Sequence, residues 1–149
     1  MAGRTNPNVA VQALALKRLF PNSQVRISAG YLLWRYPVRP CQASDIYELE
    51  LEYRQGATPK VKVATPQLVP NEDGLLPHVW DTGHLCVHQL GDWNPGQLLT
   101  RTFVPWSMEW LVYYELWRAT GIWYGDGPDR LDSASQRGIL HPYIQPRVN

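Results

Sequence analysis

Only two cysteines occur in the 149 residues, Cys41 and Cys86, and they lie in different segments. Two thiols cannot build the disulfide framework of a small secreted domain, so both read as free cysteines of a reducing cytoplasm. No apolar run approaches the ~20 residues that span a bilayer. The opening Met-Ala-Gly-Arg-Thr-Asn-Pro lacks the basic-then-apolar order of a secretory signal. Charge of one sign is also missing: the formal balance is +1, with Lys and Arg scattered singly. That leaves no global field to recruit nucleic acid or an anionic membrane. Repeats and low-complexity tracts are absent. Phenylalanine is scarce, with 2 residues against 7 Trp and 8 Tyr. Such rings supply either an aromatic core or an exposed aromatic binding surface, since each brings a polar atom that wants a partner. At 44% hydrophobic and 18% charged residues, the chain reads as one globular domain with a single core.

What is present has a clear order. Asn6-Pro7-Asn8 starts a helix, with an asparagine cap and a proline at the first turn. Val9, Ala13, Leu16 and Phe20 follow at helical spacing until Pro21-Asn22. The period then becomes two. Val25, Ile27 and Ala29 alternate with Arg26 and Ser28, and Leu32, Trp34 and Tyr36 continue until Pro37 and Pro40 break the pattern. Tyr47 to Tyr53 is the clearest strand, with three glutamates on one face; after Gln55-Gly56 the run Lys60 to Val63 returns with lysines to meet them. This is an antiparallel meander with one wet and one dry face. Gln67 to Leu76 reads as loop. A second helix runs from about Trp106 to Ala119 and stops near Gly121. It is apolar almost all round, which predicts that it is largely covered. Beyond Tyr124 the chain reads as a loop-rich tail, where His141 could fold back toward the rest.

The chemistry gathers between Pro77 and Pro95. Cys86 sits there between a Gly83 turn and a Trp93-Asn94-Pro95 turn, with His78, His84 and His88 all within eight positions of it. A thiol among proton carriers suggests nucleophilic chemistry, because the thiolate is the reactive form. Zinc held by His84, Cys86 and His88 is the tempting rival. On an extended segment those side chains would stand ~7 Å and ~13 Å apart, whereas ligands of one zinc lie within about 4 Å of each other. No metal or other cofactor is expected. Cys41 reads as a bystander.

Helix, antiparallel meander, cysteine-bearing irregular segment and buried helix, in that order, resemble the ubiquitin-conjugating enzyme fold. That family carries a His-Pro-Asn triplet whose Asn lies eight positions before its nucleophilic cysteine, a Gly three before it, and a Trp-Ser-Pro about eight after. Here Pro77 and His78 occupy the last two triplet positions, Gly83 stands three before Cys86, and Trp93-Asn94-Pro95 begins seven after. Tyr47 to Tyr53 and Pro59-Lys60-Val61 look like the family's second and third strands. The likeness covers roughly residues 9 to 120. Leu76 replaces the triplet's histidine, His78 replaces its asparagine, extra residues precede the triplet, and the usual C-terminal helices have no counterpart in the tail. These departures resemble divergent bacterial members, including the CBASS anti-phage type.

The resemblance implies an α+β, UBC-like fold and a Cys86 thioester with the C-terminus of a protein partner, passed on to an amine. The implied partner is a ubiquitin-like protein or a nucleotide-signalling synthase of the CD-NTase type, with an activating enzyme upstream where the end is activated separately. A thiol near pKa ~8.5 is several per cent thiolate at neutral pH, enough for thioester exchange. His78 would donate to a tetrahedral oxyanion or take a proton from the amine. His84 and His88 would tune the thiol or line the groove for the acyl tail. Asp92, with Asp81, would orient an amine or a histidine, or else close turns. Trp93 would pack beneath the site. Two other readings remain: a non-catalytic partner-binding module on the same fold, and a thiol hydrolase with His78 or His88 as base.

Overall fold

The computed structural model describes residues 5–89, 91–125 and 140–142. The first helix, α1 (Val9–Leu19), is capped by Asn8, whose side chain accepts a hydrogen bond from the Val11 amide at 3.0 Å. Pro7 therefore precedes the cap instead of opening the first turn. Val9, Gln12, Ala13 and Leu16 form its buried face. Gln12 is fully buried. Its amide donates to the Gln97 carbonyl and its oxygen accepts from the Leu99 amide, both at 2.9 Å. That pair of bonds staples α1 to the segment leading into the second helix.

Four strands form one antiparallel sheet in sequence order: β1 (Gln24–Ser28), β2 (Tyr31–Val38), β3 (Tyr47–Arg54) and β4 (Lys60–Thr65). Tyr47–Arg54 and Lys60–Thr65 are thus the third and fourth strands, one place later than the resemblance suggested. The charge pattern sets the β3–β4 register as expected, with Glu50 opposite Lys62 and Glu52 opposite Lys60. Glu50 also meets Arg35 on β2 at 3.0 Å. On the dry face stand Leu32, Trp34, Leu49, Leu51, Tyr53 and Val61, all essentially without solvent contact.

Two expectations about this sheet change. β2 does not break at Pro37 but runs to Val38, because β1 ends opposite Arg35 and leaves that side of β2 without a partner strand. A residue lacking an N–H is tolerated where no ladder bond is required. The alternation in β1 does not build a buried face either: Val25 is only half-buried and Ile27 is 50% exposed.

A single 3-10 turn at Leu99–Arg101 leads into α2 (Phe103–Thr120), which begins three residues earlier than the sequence suggested. Gly121 ends it in the left-handed conformation (φ 74°), its amide returning to the Trp117 carbonyl at 2.7 Å. Phe103, Val104, Trp110, Leu111, Tyr114 and Trp117 pack into the core. The coverage is not all round, however, since Val112 and Leu116, one helical turn apart, are 39% and 41% exposed. Two short strands, β5 (Leu75–Pro77) and β6 (Leu140–Pro142), pair antiparallel and set His141 opposite Leu76 in register. The rest of the tail lies outside the described residues, and no helix follows α2 among those that are described. Among the described residues, no helix is long and apolar enough to cross a membrane.

Candidate functional site

The eight-residue offset between His78 and Cys86 closes a hairpin on the edge of the sheet. The Cys86 amide donates to the His78 carbonyl at 2.9 Å, Val79 pairs with Leu85, and the Trp80 amide donates to the His84 carbonyl at 2.8 Å. Gly83 reverses the chain at φ 84°, its amide bonding to the Trp80 carbonyl. A residue with a Cβ is strained in that conformation, which accounts for a glycine three positions before the cysteine. The Leu85 amide then donates to the Val61 carbonyl at 2.8 Å and fixes the hairpin to β4.

His78 is the one described non-glycine residue at positive φ, 48°. Asparagine and histidine both tolerate this region better than most side chains, so the exchange of one for the other preserves the backbone here. Its carbonyl takes a second donor, the indole N–H of Trp110 on α2, at 3.1 Å. Its ring stacks on Trp123, with centroids 5.0 Å apart and planes at 27°.

The Cys86 thiol is half-buried and borders a small open pocket of about 90 Å³. The other described walls are Val87, Trp106, Glu109, Trp110, Tyr113 and Trp123. The thiol also lies 3.7 Å from the His88 carbonyl oxygen, a long and weak contact. The pocket that the cysteine borders is thus walled by aromatic rings and one carboxylate, and none of the three nearby histidines is among its described lining residues.

Each of those histidines has other company. The His84 ring nitrogen Nδ1 is 2.9 Å from the Thr82 hydroxyl, and its pKa falls below the ordinary 6.5 through burial and then the charges of Lys60 and Lys62. His88 packs between Phe103 (centroids 5.1 Å apart) and Trp106 (6.2 Å, planes at 17°). Its pKa is also lowered by burial, against a smaller opposing pull from Asp92. Asp92 is committed to turn chemistry: its carboxylate accepts from the Gln89 amide at 2.8 Å and its own amide returns to the Gln89 carbonyl. Asp81 is exposed in the hairpin loop. Trp93 packs as expected, edge-on to Tyr53 at 5.9 Å and to Phe103 at 5.5 Å. Cys41 lies apart in the loop before β3, exposed, with its sulfur 3.0 Å from the Ser44 hydroxyl. No group of three His, Cys, Asp or Glu side chains converges to hold a metal among the described residues.

The lowered pKa values of His84 and His88 make stability depend on pH. Both rings resist protonation when folded, so below about pH 6.5 the unfolded chain binds protons that the folded chain refuses. Stability should be level above that value and fall as pH drops through it toward the folded-state pKa values. A thermal melt at pH 5.5 is expected to lie below that at pH 7.5, and the gap should narrow in His88→Gln. An unchanged gap in both His84→Gln and His88→Gln would remove these rings from the effect.

Sequence reasoning missed Glu109, Trp110 and Trp123 as neighbours of the thiol. Trp110 was visible only as one of the helix-spaced aromatics of α2, which core packing explains equally well, and Glu109 and Trp123 carried no signal of their own. Comparison with known proteins adds one positive result: the family model described as Type II CBASS E2 protein matches residues 12–130. No curated protein matches the chain.

Proposed function

The chain belongs to the type II CBASS E2 family, and from that premise we propose that Cys86 carries the C-terminus of a protein partner as a thioester and passes it to an amine. An E2-like role in anti-phage defence, exercised on a protein partner of the CBASS pathway, follows from membership alone. The particular chemistry is the proposal. Its main support is the hairpin that locks Cys86 to the backbone of His78 at the rim of an open pocket. A residue kept only for packing needs no such access.

In the loading step the Cys86 thiolate attacks the partner's activated carbonyl carbon. A C–S bond forms and the activating group leaves. In the transfer step an amine attacks the same carbon, a C–N bond forms, and the sulfur departs as thiolate. His78 positions the cysteine through its carbonyl, pinned from one side by the Cys86 amide and from the other by Trp110. Its stacking on Trp123 occupies a ring face, and the imidazole's hydrogen-bonding groups lie in the ring plane, so the contact does not consume its donor capacity. The partner is a nucleotide-signalling synthase or a ubiquitin-like protein.

Intact-mass analysis of protein isolated with its partner and any activating enzyme tests this. The expected result is a polypeptide adduct that disappears on treatment with a thiol and maps to the peptide bearing Cys86. Mapping matters because Cys41 is an exposed thiol, made more acidic by its hydrogen bonds to Ser44 and the neighbouring backbone. An adduct on Cys41 instead, or none with all components present, would overturn the assignment.

A further inference from the structure

We infer that Trp123 is a positioning residue: its indole sets the plane of the His78 imidazole, and the backbone at Gly125 keeps the indole in place. The kinetic consequence rests on the thioester reading of Cys86, whereas the geometry of the stack does not. His78 has a fixed backbone but a ring that the backbone cannot orient. The residue sits at φ 48°, and its carbonyl is tied to the Cys86 amide at 2.9 Å and to the Trp110 indole at 3.1 Å. The torsion that turns an imidazole about its Cβ–Cγ bond is broad, so a neighbour has to choose the plane. Trp123 is placed to do so, with ring centroids 5.0 Å apart and planes only 27° from parallel. Stacked rings in that range attract, and tilting one of them separates the faces.

The indole is itself held from three sides. Trp123 is 5% exposed and lodges against Trp110 (centroids 5.5 Å apart, planes at 55°) and Tyr113 (5.8 Å, 57°). Those two residues are three apart on α2 and so share a face of the helix. Trp110 in turn stacks on Tyr114 at 5.4 Å and 12°, which roots the assembly in the core. Gly125 closes the third side. A Cβ there would come within 2.7 Å of the Trp123 indole nitrogen and 2.8 Å of the Tyr113 ring. Its φ is not positive, so this glycine answers to close approach and not to a turn. The His78 residue is therefore gripped twice: Trp110 takes the carbonyl, and Trp123, braced by Trp110, takes the ring.

Chemistry gives the plane its importance. Both nitrogens of an imidazole make their hydrogen bonds in the ring plane. An oxyanion forming on the carbonyl bound to Cys86 is served only by a donor about 3 Å away and aimed at it. Rotation of the His78 ring would carry its donor off that line while Cys86 stayed where it is. Loading starts from an acyl group activated elsewhere, so the attack of an amine on the thioester is the step that should feel the loss.

Two measurements on the full chain test this. In the proton NMR spectrum the His78 ring C–H signals, assigned by their loss in His78→Ala, should lie upfield under the ring current of the indole and move downfield in Trp123→Leu. Single-turnover transfer from loaded protein to saturating lysine is expected to slow about tenfold in Trp123→Leu, with KM unchanged. In a His78→Ala background the same change should cost less than about twofold, because a residue that acts through His78 then has nothing to position. Trp117→Leu, which removes a buried indole from α2, should lower the melting temperature and leave transfer intact. Gly125→Ala keeps every ring and is expected to shift the His78 signals and slow transfer roughly threefold; it decides the matter should Trp123→Leu fail to fold. Unmoved His78 signals, equal losses in both backgrounds, or an equal loss in Trp117→Leu overturns the inference. Failed loading of the wild type with the upfield signals present sinks the thioester reading alone, and normal transfer by loaded Trp123→Leu sinks the positioning role alone.

Discussion

Cys86→Ala is expected to abolish both the thiol-labile adduct and the partner–amine conjugate, a fall of roughly a thousandfold or more, because no other group on the hairpin can replace the nucleophile. The fold should be nearly indifferent. The residue is half-buried and its contact with the His88 carbonyl is a long one, 3.7 Å. A change of about 1 kcal/mol or less is the ordinary cost of such a replacement, so unchanged melting together with lost conjugation is the expected pairing. Cys86→Ser keeps a nucleophilic atom, and any adduct it forms would be an oxygen ester that thiols do not cleave. Cys41→Ala should load like the wild type, since Cys41 lies outside the pocket. Conjugation at the wild-type rate by Cys86→Ala would leave a partner-binding module as the better account. Release of free partner by the wild type, with no amine-linked product, would favour the hydrolase.

The parts of this molecule that sequence could predict are those whose geometry is local. An offset of eight with a glycine three before the cysteine describes a hairpin, and that hairpin is present, ladder bond by ladder bond, from His78 to Cys86. Glutamates answering lysines fixed the β3–β4 register in the same way, because opposite charges meet directly across neighbouring strands. The surroundings of the thiol were hidden for the opposite reason. Trp123 reaches Trp110 and His78 only after α2 has ended at Gly121 and the chain has turned back, and periodicity carries no record of that approach. Proximity in sequence did not fix the company that the three histidines keep. His84 lies within the field of the β4 lysines while His88 packs against the first turn of α2, so the common parity of positions 84, 86 and 88 does not survive the end of the hairpin. Likewise the hydrophobic roll of α2 gave no hint that Val112 and Leu116 would face outward.

Trp110 joins the core to the site, and two substitutions there should separate its roles. The ring is 3% exposed, packs on Tyr114 and Trp123, and spends its N–H on the His78 carbonyl. Trp110→Ala removes the ring and is expected to destabilise the fold by about 3–5 kcal/mol, lowering the melting temperature by roughly 10 °C. Trp110→Phe keeps most of the packing and deletes only the hydrogen bond. Because the His78 carbonyl still receives the Cys86 amide, no acceptor is orphaned, and the stability cost should stay near ~1 kcal/mol. Loading is another matter. With that anchor gone, the hairpin keeps the Leu85 bond to Val61 on β4 and the His78 stack on Trp123, but slack at the nucleophile is costly: a rate loss of roughly tenfold is expected from a displacement well under an ångström. Parallel measurement of melting and of adduct formation distinguishes the two roles. If Trp110→Phe loads as fast as the wild type, the indole serves packing only, and the carbonyl of His78 is held firmly enough by its partner strand.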